Sequence, residues 1–146
     1  MNTYKTTTAL LSAALLLALA LCAKTTPAQT PASAKTDPYD TKAILRSAKL
    51  IYVKSSSLLV GEAVIEAKLR KRSEFQQLGL VITRDPNEAD LVLELKHDLF
   101  TMYVYTAIDP HTNVVVASGK LSSLGGTVAG KVAKRFLKQI VKARVT

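Results

Sequence analysis

The order of apolar and polar positions divides this chain into three stretches. Ala9 to Leu21 is an apolar run of 13 residues in which only Ser12 is polar. Lys24 to Tyr39 is built from Thr, Ala and Pro and has no large aliphatic side chain. From Thr41 onward the pattern is that of a folded domain. Thr41 to Ser47 suits a short helix. Leu50-Ile51-Tyr52-Val53 is β-rich and bounded by Ser55-Ser56-Ser57, which predicts a strand. Gly61 to Arg72 has helix-forming composition, and Gly79 breaks the chain before a second strand, Leu80-Val81-Ile82-Thr83. Asp85-Pro86-Asn87 is a turn signal.

Leu91, Leu93 and Leu95 alternate with Glu94 and Lys96, the period of a half-buried strand. In the next segment Met102, Val104 and Ile108 alternate with Tyr103 and Tyr105. Taking the aliphatic set as inward turns the tyrosines outward, and it requires a turn or bulge between His97 and Thr101 to absorb the change of parity. Asp109-Pro110-His111-Thr112-Asn113 predicts a turn, with Asn113 able to take the left-handed conformation. Val114 to Ala117 returns, so residues 101–120 form a hairpin.

The final segment has the strongest periodicity. At about 100° per residue, Val128, Ala129, Val132, Ala133, Phe136, Leu137, Ile140 and Val141 share an arc of roughly 220°. Lys131, Lys134, Arg135, Lys138 and Lys142 fill the complementary gap, which gives an amphipathic helix with a cationic outer face. The order strand, helix, strands, helix predicts an α+β domain over residues 41–146. It has a single mixed or antiparallel sheet of four to five strands, with two helices packed on one face.

The first two stretches are read as an address and a spacer. The apolar run would span ~20 Å as a helix, short of the ~30 Å of a bilayer core. With Lys5 before it and the small residues Ala18-Leu19-Ala20, Ala23 or Ala28 after it, it fits a secretory signal, here placed at residues 1–23. Residues 24–40 form a flexible Thr/Ala/Pro linker. Leu19-Ala20-Leu21-Cys22 resembles a bacterial lipobox, with Leu21 where Gly, Ala or Ser is usual. Cys22 is therefore either a lipid attachment site or part of a discarded leader. The expected location is the periplasm, the outer membrane or outside the cell.

Charge and chemistry narrow the function classes. The chain has 146 residues with 20 Lys and Arg against 11 Asp and Glu, a formal charge of +9. Only Lys5 of these cations precedes Lys24, so the excess stays with the domain. One Cys and no Trp exclude a disulfide scaffold. Gly125 to Lys131 (GGTVAGK) matches a phosphate-loop spacing, yet Val132 stands where a Ser or Thr would hold magnesium. His97 and His111 fall at opposite ends of one hairpin strand, roughly 25–30 Å apart at ~3.3 Å per residue, too far to share a metal. Ser55-Ser56-Ser57 reads as a loop that caps the following helix. Glu94 and Asp98 flank Lys96 as an ordinary solvated face. No catalytic residue, cofactor or metal is expected.

Two interaction surfaces remain. Tyr103 and Tyr105 on an open sheet face suit a protein contact. The cationic helix suits an anionic membrane or another polyanion, with nucleic acid not expected outside the cytoplasm. A small hydrolase is the least favoured reading.

Two segments carry a family resemblance. Glu88-Ala89-Asp90-Leu91-Val92-Leu93 is similar to the "ADYVL" strand start of a group of small bacterial envelope domains. That group includes the CsgG periplasmic domain, the TolB amino-terminal domain and the penicillin-binding-protein activator lipoproteins. Ala107 to Val116 resembles the group's "VDxxTGxVV" hairpin, with Asn113 where Gly is usual. The resemblance covers residues 48–143. It implies an α+β envelope domain acting by contact with other proteins, and it carries over no catalytic residue.

Overall fold

The computed structural model describes residues 39–123 and 127–145. The stretch read as a signal, most of that read as a linker, Cys22 and the Gly125-Gly126 pair lie outside the described residues. Nine elements follow in order: α1 (Thr41–Ser47), β1 (Leu50–Ser55), α2 (Glu62–Arg70), α3 (Ser73–Gln77), β2 (Val81–Ile82), β3 (Leu91–His97), β4 (Met102–Asp109), β5 (Val114–Ser122) and α4 (Val128–Val145).

The strands form one mixed sheet in the order β2-β1-β3-β4-β5. β1 pairs in parallel with β2 and β3, and β3-β4-β5 is an antiparallel meander. This is the expected α+β class. The helix expected over residues 61–72 ends at Arg70, and α3 follows it. α3 ends in a Schellman arrangement: the Leu80 amide donates to the Phe75 carbonyl and the Gly79 amide to that of Gln76. Gly79, at φ 63°, supplies the left-handed residue this needs. Leu80 and Phe75 are both buried, the apolar contact that accompanies the motif.

Ile51, Val53, Leu91, Leu93 and Leu95 point to one face of the sheet and are 0–2% exposed. α4 covers that face with Val132, Ala133, Phe136, Leu137 and Ile140, all at 0%. α1 and α2 pack beside α4, so three helices rather than two close the layer.

Asp90 fixes where β1 and β3 begin. Its Oδ2 accepts from the backbone amides of Lys49 (2.7 Å) and Leu50 (2.8 Å), while its own amide donates to the Leu50 carbonyl. The expected 109–113 turn is present. Asp109 accepts from the His111 amide at 2.9 Å and from the Thr112 hydroxyl at 2.7 Å, and Asn113 sits at φ 56°.

The tyrosine orientation is corrected. Tyr103 and Tyr105 are each 1% exposed and belong to the core. Met102, Val104 and Ile108 occupy the other face and are half-buried. Register decides this. Leu95 pairs with Tyr105 and Leu93 with Ala107, so the leucines on the helix side carry the odd-numbered residues of β4 with them. The turn after His97 forms, but parity does not change across it.

A bulge follows in β5. Ala107 pairs with Ala117 but Ile108 with Val115, so Val116 is the extra residue and both Val116 and Ala117 are buried.

Candidate functional site

Two faces of the domain were expected to bind: a tyrosine-bearing sheet face and the cationic side of the last helix. The sheet face is present, with different residues on it. Opposite the helices, Tyr52, Val92, Ile108 and Val115 pair in register and make one apolar row across four strands. Leu50 and Val81 extend the row toward the β2 edge. The next row is polar: Lys54, Glu94, Thr106 and Ser118. Glu94 sits between Lys54 (3.7 Å) and Lys96 (3.2 Å) with its own side chain only 13% exposed, so the pairing is with Lys54 and Lys96 rather than a solvated face shared with Asp98. Among the described residues no helix lies over this face.

The buried tyrosines have their own tasks. Tyr105 pairs with Gly119, where a Cβ would approach the ring to 2.6 Å, so glycine is required for the ring to lie there. Its hydroxyl donates to Gln139 Oε1 at 3.3 Å. Burial pushes the Tyr105 phenol above its usual range, against a weaker opposing pull from Arg135. Tyr103 stacks on His97 with ring centroids 4.7 Å apart.

On α4, Lys131, Lys134, Arg135, Lys138 and Lys142 are all exposed, as the periodicity predicts. Lys131 and Arg135 are engaged along β5. Lys131 Nζ donates to the Ser122 carbonyl (3.2 Å), Arg135 to that of Lys120, and Gln139 Nε2 to that of Ser118 (3.1 Å). The spacing explains the match. Four helical residues rise ~6 Å and two strand residues ~6.6 Å. Helix positions 131, 135 and 139 therefore keep step with strand positions 122, 120 and 118. β5 is the edge of the sheet, and these side chains occupy carbonyls that an added strand would need. Alternation alone gives no sign of this strap. The spacing of three long donors along α4 could have revealed it.

Two shallow grooves flank the strap. One of about 270 Å³ is floored by Leu45, Val116, Ala117 and Ala143 and rimmed by Lys42 and Lys142. The other, about 310 Å³, lies beside Tyr105, Gly119, Lys138 and Gln139.

The remaining sequence candidates serve the backbone. Lys131, last residue of the phosphate-loop-like spacing, turns back to Ser122 and to the Ser123 hydroxyl. The serine cluster does not cap α2, whose N-cap, Gly61, makes no side-chain bond. Ser55 Oγ instead donates to the Val60 carbonyl (2.6 Å) and accepts from the Ser57 amide, and Ser57 Oγ accepts from the Leu59 amide. The Ser55 and Ser57 hydroxyls are spent on shaping their own loop, and that of Ser56 donates to the Leu95 carbonyl of β3 at 3.3 Å. His97 and His111 stand at the two ends of the β3-β4 pairing and are not brought together. Among the described residues no three His, Cys, Asp or Glu side chains are grouped to hold a metal, and no helix is long and apolar enough to cross a membrane.

The carboxyl of Asp109 is the other perturbed group in this region. Burial alone would raise its pKa. Hydrogen bonds from the Thr112 hydroxyl and from the His111 and Thr112 amides outweigh that and hold it below the usual carboxylate range.

No family model and no curated protein matches the chain. Among solved structures it is similar to a PelC dodecamer from Paraburkholderia phytofirmans, at 17% identity and a TM-score of 0.38, over 65% of this chain and 87% of that one.

Proposed function

We propose that this is an exported, non-catalytic domain of the bacterial envelope that acts by binding another protein through the open face of its sheet. The apolar row Tyr52–Val92–Ile108–Val115 carries the reading. It is a contiguous apolar strip bordered by charge, the composition of an interface centre with a polar rim. The leader-like pattern of residues 1–23 and the resemblance of residues 88–93 and 107–116 to envelope domains support the location.

A second reading, attraction of α4 to an anionic surface, rests on the exposed Lys134, Lys138 and Lys142. Capture of partners from envelope extract distinguishes the two. Tyr52→Glu and Val115→Glu abolish capture under the sheet-face reading, while Lys134→Glu with Lys138→Glu leaves it intact. The reverse pattern overturns that reading. Urea midpoints of all variants serve as the check on folding.

A further inference from the structure

The end of the sheet where β1 and β3 finish bears an apolar tip that neither surface above uses. The two strands run parallel, so the loop after Ser55 and the turn after His97 emerge side by side; the Ser56 amide donates to the Leu95 carbonyl at 3.0 Å. Leu58 and Leu59 project from the first, Leu99 and Phe100 from the second. Their exposures run from 64% for Leu99 to 91% for Phe100 and 102% for Leu58. Water is an unfavourable neighbour for four such side chains.

Both turns are held firmly while they present these groups. Ser55 and Ser57 tie down the first loop through its own backbone. In the second, the Met102 amide donates to the Leu99 carbonyl and a ring nitrogen of His97 bonds the Phe100 carbonyl at 2.6 Å. Phe100 has φ 43°. A bulky side chain is disfavoured in that left-handed region, where Gly or Asn would sit with less strain. The fold thus retains an unfavourable backbone state at the residue that is among the most exposed. A strained, outward-facing apolar residue points to a role outside folding.

We propose that Leu58, Leu59, Leu99 and Phe100 insert together into the surface of a lipid bilayer. Shape and charge select this occupant. Leu58 and Phe100, almost fully exposed, stand clear of their neighbours as convex points on two adjacent turns rather than forming a flat patch. A lipid surface deforms around such points, and a protein pocket would have to be made for them. The residues that flank the two turns, Ser55, Ser56, His97 and Thr101, are polar. Lys54, Lys96, Lys120 and Lys131 then outnumber Glu62, Glu94 and Asp98 at this end of the domain. The apolar term dominates, and the small positive excess favours anionic headgroups.

The chain contains no Trp, so Phe100→Trp in the full chain places a lone indole at the tip. The local readout separates insertion of the tip from attachment through the apolar leader. With vesicles of phosphatidylethanolamine and phosphatidylglycerol, the emission moves to the blue and lipids brominated in the acyl chain quench it. Leu58→Ser with Leu59→Ser in the same background weakens the quenching. A chain that sediments with vesicles while its emission stays water-like overturns the proposal. A blue shift that grows with protein concentration in the absence of lipid also overturns it, in favour of self-association through the tip. Phe100→Asn is a second, independent arm. It holds or raises the urea midpoint if the aromatic ring is unneeded for folding, whereas a lowered midpoint assigns the ring to stability and removes the argument from strain.

Discussion

Removing the Asp90 carboxylate tests the account of how the parallel part of the sheet is set. One oxygen of that side chain takes the backbone amides of Lys49 and Leu50, at 2.7 and 2.8 Å, at the point where β1 begins beside β3. A hydrogen bond to a charged acceptor contributes about 1.5–3 kcal/mol. The Lys49 amide is exposed and regains water in Asp90→Ala, so its loss falls at or below the lower bound. The Leu50 amide is part-buried and loses more. Together they give about 2–3 kcal/mol. For a domain of this size each kcal/mol shifts Tm by about 4–8 °C, so Tm falls by about 10–20 °C. Asp90→Asn keeps an acceptor oxygen and loses the charge, and should lie about midway. Urea unfolding followed by circular dichroism gives the free energies, with an unchanged slope as evidence that the same surface is exposed. A cost for Asp90→Ala under about 0.5 kcal/mol, the range of an ordinary surface change, would mean that apolar packing sets the β1-β3 register unaided.

Three further outcomes follow from the β4-β5 edge and its helix. Replacing Lys131, Arg135 and Gln139 together by Ala opens the β5 carbonyls, and sedimentation velocity should show association that rises with concentration; a strictly unchanged sedimentation coefficient would sink the shielding role. Gly119→Ala drives a methyl into the Tyr105 ring and costs about 1–3 kcal/mol, and a double-mutant cycle with Tyr105→Leu should recover most of that. Because burial raises the Tyr105 pKa, the folded state holds the phenolic proton more tightly than the unfolded chain. That contribution is fully present below the ordinary tyrosine pKa of ~10 and fades as pH rises through the folded value. The stability of the wild-type chain relative to Tyr105→Phe should therefore fall as pH rises above ~10, and a pH-independent difference would contradict the burial argument.

Elements governed by local chemistry were legible in the sequence. The α4 periodicity, the Gly79 break and the 109–113 turn each rest on residues acting within a few positions of one another, and all appear where expected. The orientation of β4 was not legible, because both of its faces carry apolar side chains. Alternation then says only that Tyr103 and Tyr105 share a face; which face follows from pairing with Leu93 and Leu95, a non-local fact. The Val116 bulge is hidden for the same reason, since a run of three valines looks alike in either phase. The serine cluster was misassigned because a hydroxyl can bond nearby backbone as readily as a helix start, and α2 begins at Gly61 with no side-chain cap. The open-face row does not stand out in the sequence either: Val92, Ile108 and Val115 are ordinary strand aliphatics until register lines them up with Tyr52.

The strap along β5 changes how mutagenesis of the basic helix should be designed. Neutralising α4 wholesale would unlace the margin of the sheet at Lys131 and Arg135 while also removing charge, and any lost interaction could then come from a frayed border. Lys134 and Lys138 can be altered without touching those carbonyls, so they are the positions at which electrostatic attraction can be examined separately from the integrity of the fold.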